Sequence, residues 1–462
     1  MKSLIFWISL FLPLGLSAQT ADDQYKKPLK DVLAEIQTIF DIKLKYPDDL
    51  IKDKILDYAE WRIRKYSVEK TLTNVLAPFD LVFVKESEKT YKIKAFEYSR
   101  RLPDEGKEHL AYLSSLYNNL NSWEARKREL KECMISALGL SPMPKSPGSK
   151  PIVTAKRVMD GYSIENIAIE TLPGMYVCGS LYRPIKHKGL SPIVLNPDGH
   201  FKDGRYRADC QYRCAMLARM GAIAFSYDLF AWGESQLQFK EEYHRKSIAN
   251  TIHNLNGIRI LDYLCSLKVA DTNHIAITGA SGGGSQTMQL TAIDNRIKVS
   301  VPVVMVSSYF FGGCPCESGM PFQLCGGGTN NAEIAAMAAP RPMLIISDGK
   351  DWTANVPELE FPFIQRTYGF YGNTTLLKNA NFPEEGHDYG LSKRLAMYEF
   401  MAEQLGLDIN AVKNKEGKID ESKCTIEEYP AMYVFGQHGE LLPSNALKDF
   451  DKLAKVLEDA KK

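Results

Sequence analysis

The sequence has no surplus of charge of either sign. Its 57 Lys and Arg face 56 Asp and Glu over 462 residues, for a formal net charge of +1. No long Lys/Arg run stands out. Together these absences argue against a nucleic-acid or membrane-surface partner held by bulk charge. Beyond the N-terminus no apolar run reaches the ~20 residues that a membrane-spanning helix needs. There is no Cys-x2-Cys pair, and no His lies near Cys314, Cys316 and Cys325 in the sequence. That segment is therefore expected to hold a local disulfide or free thiols rather than zinc, and neither a metal nor an organic cofactor is expected. The nine cysteines are an odd number, so at least one is unpaired or pairs between chains. Cys133, Cys178, Cys214 and Cys265 sit in apolar patterns and read as core residues.

What is present begins with a targeting signal. Lys2 precedes the apolar stretch Ile5 to Leu16, and the small residues Ser17 and Ala18 follow. This pattern predicts a secretory signal peptide over residues 1–18 and export, in a Gram-negative cell to the periplasm. No Cys follows the expected cleavage point, so an N-terminal lipid anchor is not indicated.

A weak repeat comes next. Leu29, Leu33, Ile36, Phe40, Asp41, Ile42 and Leu44 match Val68, Leu72, Val75, Phe79, Asp80, Leu81 and Phe83 at one constant offset. Each unit opens with helical spacing and closes with strand alternation, and a further strand is expected at Thr90 to Lys94. Two such units predict a small α+β domain over 25–97. The segment resembles the short N-terminal domain of secretins and TonB-dependent transducers. That resemblance implies a periplasmic interaction module with an envelope partner, while a plain spacer accounts for the pattern equally well.

Residues 98–150 read as a helical lead-in. Helical spacing links Leu110, Leu113, Leu116 and Leu120, and a charged helix runs from Trp123 to about Leu138. From 151 to 408 apolar strands alternate with helices. The order predicts a mostly parallel sheet covered on both faces, entered through an antiparallel pair joined at Pro173-Gly174. Ser247 to Leu267 is expected to be a long amphipathic helix. The extension 409–462 is expected to carry a strand at "AMYVFG" and a terminal helix. Whether it packs on the preceding domain is open at this level.

The chemistry centres on Gly279-Ala280-Ser281-Gly282-Gly283. This G-x-S-x-G directly follows the apolar strand Ile275 to Thr278 and opens a helix, the setting that a nucleophile elbow requires. Every neighbour of Ser281 from Gly279 to Gly284 is Gly or Ala. A serine nucleophile needs a base, and the base needs an orienting acid, in the chain order Ser, Asp/Glu, His. Asp351, in the turn after "MLIIS", and His387, in "PEEGHDYG", satisfy that order. Asp348 is the rival acid in the same turn. His244 and His253 sit in or before a helix, and His274 stands at the wrong end of the nucleophile strand. An oxyanion hole would draw on the N–H of Gly282 and on the loop "PDGHF", where His200 is the favoured donor and Phe201 the alternative. Trp232 and Trp352 are candidates for the pocket wall or the core. Glu317 is a candidate polar contact, with an exposed loop charge as the plainer reading.

With these residues in hand, the stretch from about Trp123 to Leu407 resembles bacterial α/β-hydrolases of the acetyl xylan esterase and dienelactone-hydrolase-like group. The matching segments are "DGYSIENIAIETLPGMYVCGSLYRP", "NPDGHF", "YDLFAWGES", "GASGGGSQT", "AAPRPMLIISDGKDW" and "EEGHDYGLSKR". The resemblance implies a triad of Ser281, Asp351 and His387 and an exported carbohydrate esterase, for instance one that deacetylates a plant polysaccharide such as acetyl xylan. A serine peptidase of the same fold and a periplasmic sensor with an inactive hydrolase domain are the alternatives. The insertion "FFGGCPCESGMPFQLCGGG" departs from the pattern and leaves the substrate open.

Overall fold

In the computed structural model, residues 25–79, 81–95, 101–186, 189–318 and 322–462 are described. The expected leader lies outside them. The chain divides into two compact units, Met1–Tyr98 and Ser99–Lys462.

In the first unit the helix Leu29–Phe40 buries Leu29, Val32, Leu33 and Ile36 at the spacing of one helical face, and it stops where Asp41 turns left-handed at φ 49°. The second helix, Val68–Leu76, starts on the Ser67 side chain, which accepts the Lys70 N–H. The strands are β1 (Lys26–Pro28), β2 (Lys43–Lys45), β3 (Ile55–Asp57), β4 (Leu81–Ser87) and β5 (Thr90–Ala95). β2, β5 and β4 form one three-stranded sheet, and β1 pairs with β3. The helices close their apolar faces over Leu44, Leu81, Tyr91 and Ile93.

The second unit is an α/β domain built on one large sheet. Its strands are β6 (Ile152–Val153), β7 (Arg157–Val158), β8 (Tyr162–Leu172), β9 (Met175–Pro184), β10 (Ser191–Pro197), β11 (Ile223–Tyr227), β12 (Ala270–Ala280), β13 (Val299–Val303), β14 (Met343–Asp348) and β15 (Leu377–Phe382). They form a 10-stranded sheet in the order 15-14-13-12-10-11-9-8-6, with β7 on β8. From β15 to β11 every pairing is parallel, whereas β9, β8, β7 and β6 run antiparallel. Strand alternation sends Ile193, Leu195, Ile275 and Ile277 into the core on one face, and Val194 and Ala276 into the core on the other. The helices Ala208–Arg219 and Leu391–Leu405 cover the second face, while Ile248–Cys265 and Gly282–Ile293 cover the first. No helix among the described residues is long and apolar enough to cross a membrane.

Three expectations change. The helix Ile248–Cys265 is buried nearly all round, including His253, Asn254 and Asn256, so it is not amphipathic: other elements pack against most of its circumference. "AMYVFG" is not a strand. A short helix, Tyr429–Met432, is followed by backbone whose Val434 and Phe435 N–H groups both donate to Glu234 Oε1, at 2.7 and 2.8 Å, and are thereby withdrawn from any ladder. Cys133 is not simply a core residue: it forms a disulfide with Cys325 across 192 positions. The extension as a whole packs on the α/β domain. Glu427 pairs with Arg157 at 2.5 Å, and the helix Phe450–Asp459 buries Leu453 and Leu457 in the first-face core.

Candidate active site

The parallel strands end together at one edge of the sheet, and the candidate residues converge there. β12 runs into Ser281, which holds φ 58° and ψ −121°, and the helix Gly282–Ile293 starts at the next residue. A non-glycine residue with that backbone costs about 1–3 kcal/mol and persists only where its surroundings enforce it. The turn permits no bulk before the serine: a Cβ on Gly279 would lie 2.4 Å from the Pro197 carbonyl oxygen. Ser281 is thereby lifted onto the end of a helix whose free N–H groups face developing negative charge.

Asp351 follows β14. Its Oδ1 accepts the N–H and the hydroxyl of Thr353, both at 2.6 Å, which fixes the carboxylate and leaves Oδ2 for His387 Nδ1 at 2.6 Å. A carboxylate only accepts, so His387 Nδ1 is the donor and Nε2 is left as the basic nitrogen. Asp348, the rival acid, is spent elsewhere. It is buried against Lys393, whose Nζ lies 3.1 Å from Asp348 Oδ2 and donates to the Gly386 carbonyl and to Asp388 Oδ1 at 2.6 and 2.7 Å. Burial first, then the neighbouring Asp351, push the Asp348 carboxyl above its ordinary value, and Lys393 opposes both. Lys393 thus ties the acid turn to the residues on either side of His387. Sequence reasoning missed it, because it looks like one more charge at the start of a surface helix.

The loop after β10 closes over the serine. A Cβ on Gly199 would meet Ser281 Cβ at 3.0 Å. Arg207 clamps the loop by holding both oxygens of Asp198, at 2.9 and 3.2 Å, and its guanidinium lies 4.0 Å from the Phe201 ring centroid. Phe201 in turn stacks beside His387 at 6.1 Å. Trp352 packs on the other side of His387, at 4.4 Å, with Phe310 behind it at 4.0 Å. Trp232 donates its ring N–H to the Phe201 carbonyl at 3.2 Å. Both tryptophans line the cavity that contains Ser281.

That cavity has a volume of about 290 Å³, and His200, His244, Cys314 and Glu317 also line it. Two residues stand differently from expectation. Glu317 is buried, not an exposed loop charge: its Oε2 accepts the Gly313 N–H, and its Oε1 faces His200 Nδ1 at 3.5 Å. Burial alone would raise its pKa, but His200 and the Gly313 N–H outweigh that and hold it below the usual carboxylate value. His244, set aside on sequence grounds, lies with Nε2 2.6 Å from His200 Nε2. Burial, then His200, push the His244 pKa down to about 4. Cys314 and Cys316 form a local disulfide against the same His200 ring. The ring stands directly over the predicted oxyanion donor: a Cβ on Gly282 would come within 2.7 Å of His200 Cε1.

A buried ion network braces the pocket from the side of β9 and β11. Arg205 pairs with Asp228 at 2.9 Å and with Glu234 at 2.7 Å, and also donates to the Met432 carbonyl at 3.1 Å. Through Met432, Val434 and Phe435 the C-terminal extension is tied into this network. Nothing in the local sequence marks these partners, which lie up to 227 positions apart.

No protein-family model matches the chain, and neither does any curated protein sequence. Among solved structures, methylesterase BT1017 matches with 50% identity and a TM-score of 0.81, over 96% of this chain and 98% of its own. An acetyl xylan esterase from Paenibacillus sp. R4 has 16% identity and a TM-score of 0.43, over 60% of this chain and 95% of its own. A glucuronoyl esterase from Solibacter usitatus has 14% identity and a TM-score of 0.43, over 62% of this chain and 94% of its own.

Proposed function

The chain belongs to the same family as methylesterase BT1017, and from that premise we propose that it is a serine hydrolase that cleaves the methyl ester of a carbohydrate acid. The observation that carries this reading is the 2.6 Å pair of His387 and Asp351 at the sheet edge where the strained elbow presents Ser281. In this mechanism Ser281 Oγ attacks the ester carbonyl and His387 Nε2 takes its proton. Asp351 stabilises the imidazolium, and the N–H groups of Gly282 and the His200 loop hold the oxyanion. The imidazolium then protonates the methoxy oxygen as its bond to the carbonyl carbon breaks, so that methanol leaves, and water activated by the same histidine releases the acid.

A carbohydrate substrate is supported by the shape of the surface. The ester pocket shares His200, Trp232 and Glu241 with a neighbouring groove of about 740 Å³. Tyr206, Tyr429 and Tyr433 line that groove, with ring centroids 5.1 and 5.5 Å apart around Tyr206. Aromatic faces with polar tips suit a sugar chain, which offers C–H faces and hydroxyl edges. A pocket of this size also exceeds what an acetyl group alone would fill.

The apolar run behind Lys2 supports export to the periplasm, and the resemblance of residues 25–97 to secretin-type N-terminal domains supports an envelope partner for that unit.

The test is the identity of the product. Purified protein is mixed with a methyl-esterified polyuronate and, separately, with acetylated xylan, and methanol and acetate are measured. Methanol release, lost in Ser281→Ala, is the expected result. Acetate release alone would move the reading to a deacetylase. Release of neither, with no cleavage of a simple aryl ester, would favour a binding or sensor role.

A further inference from the structure

Beside the serine pocket four atoms with ligand chemistry converge from three separate chain segments: His200 Nε2, His244 Nε2, Cys314 Sγ and Cys316 Sγ, all within 4.8 Å of one another. His200 Nε2 lies 2.6 Å from His244 Nε2, 3.0 Å from Cys316 Sγ and 3.5 Å from Cys314 Sγ.

The hydrogen bonds behind the two rings set which nitrogens are bare. His244 Nδ1 lies 2.6 Å from the Phe230 carbonyl, which can only accept, so Nδ1 carries the hydrogen. His200 Nδ1 faces Glu317 Oε1 at 3.5 Å, again an acceptor. His244 Nε2 is therefore bare and points at His200 Nε2 across 2.6 Å, a separation that a proton or a cation between the two nitrogens must bridge. A carboxylate or carbonyl behind the imidazole is the arrangement that orients metal-ligating histidines, and two sulfurs complete a set of four.

We propose that His200, His244, Cys314 and Cys316 form a tetrahedral site for a zinc-class divalent cation when the two cysteines are reduced. Zn–N and Zn–S bonds of about 2.0 and 2.3 Å place tetrahedral ligand atoms roughly 3.3–3.8 Å apart. The nitrogens and sulfurs here need only small shifts to reach that spacing, and opening the Cys314–Cys316 bond supplies the rest. A dithiol gives two electrons and two protons to that bond and becomes a disulfide itself. The incoming ion then displaces the two thiol protons and leaves a site of two neutral imidazoles and two thiolates. The ion would join the insertion after β13 to the loop after β10 and to the segment around His244, all of them walls of the serine pocket. The site stands independently of any ester chemistry at Ser281.

The experiment uses the full chain reduced with a phosphine and titrated with Co²⁺, whose thiolate charge-transfer and tetrahedral d–d bands report the ligand set. One equivalent is expected to bind with both signatures in the reduced protein and not in the oxidised protein. Cys314→Ser with Cys316→Ser is expected to abolish the thiolate band, and His244→Asn to weaken binding at least tenfold. A second measurement needs no variant: Zn²⁺ is expected to protect Cys314 and Cys316 of reduced wild type from alkylation, read by peptide mass. Absence of stoichiometric uptake, uptake unaffected by the cysteine changes, or equal alkylation with and without Zn²⁺ would each overturn the proposal and leave a shared proton between the two histidines.

Discussion

The ammonium of Lys393 lies 3.1 Å from Asp348 Oδ2, with both side chains wholly withdrawn from solvent. That contact separates Asp348, the last residue of β14, from Asp351 in the turn that follows. Asp348 neutralises a buried cation, and Asp351 alone faces His387.

Exchanging the two carboxyls for amides should therefore give opposite signatures. Asp351→Asn should leave folding nearly intact and lower kcat by about 10³–10⁴, because the imidazole loses the acceptor that fixes its tautomer. Asp348→Asn should lower stability by about 3 kcal/mol, because Lys393 loses its one fully buried carboxylate and keeps Asp388 and the Gly386 carbonyl close by, with a smaller loss of kcat. Steady-state kinetics beside urea unfolding of each variant separates the two.

Lys393→Met should move kcat more than KM. The substitution removes the tie between Asp348, the Gly386 carbonyl and Asp388, which positions His387 without touching substrate. A loss of about 10–100-fold in kcat is expected from loosened geometry. Partial rescue by Lys393→Arg, which restores the cation, is expected; rescue of Lys393→Met by raised osmolyte would point to global stability as the cause instead.

The α/β architecture and the placing of Ser281, Asp351 and His387 at one sheet edge were legible in the sequence because their signals are local. A strand, a Gly-rich turn and a helix lie side by side around Ser281, and the acid and histidine fall in successive strand-end loops. What escaped was long-range. Arg205, Asp228 and Glu234 read as ordinary charges until β9, β11 and the C-terminal extension bring them together in the core. His244 was set aside by its helix-side position, although the segment before the helix Ile248–Cys265 folds back onto His200. The expectation of a strand at "AMYVFG" failed because one buried carboxylate, Glu234, takes both of the backbone donors that a strand would have used.

The network around Arg205 makes the extension structural. Glu234→Gln leaves Arg205 with one carboxylate fewer in a fully buried setting and weakens the acceptor for Val434 and Phe435. Destabilisation of about 3–5 kcal/mol is expected for breaking a buried pair of this kind. It should appear together with protease cleavage between residues 409 and 435, detected by mass spectrometry. Wild-type resistance in the variant would show that the extension is held by other contacts.

His109 should make stability fall on mild acidification. Burial, then Arg101 and Arg126, push its pKa down to about 4 from 6.5. Above pH 6.5 it is neutral in both folded and unfolded chains and contributes nothing. Between 6.5 and 4 the unfolded chain binds the extra proton, so folding stability declines as pH falls through that window. The loss attributable to this residue is about 1–3 kcal/mol. Urea midpoints measured from pH 7 to pH 4 should fall less steeply in His109→Gln than in wild type; parallel slopes would remove His109 as a cause.

The central claim is that Ser281 is a nucleophile driven by the His387–Asp351 pair, and intact-mass measurement after brief exposure to a fluorophosphonate tests it most directly. A single phosphonyl adduct that maps to Ser281, is absent in Ser281→Ala and forms at least about 10²-fold more slowly in His387→Ala is the result this account predicts. An unlabelled wild type, or an adduct that persists in Ser281→Ala, would contradict it.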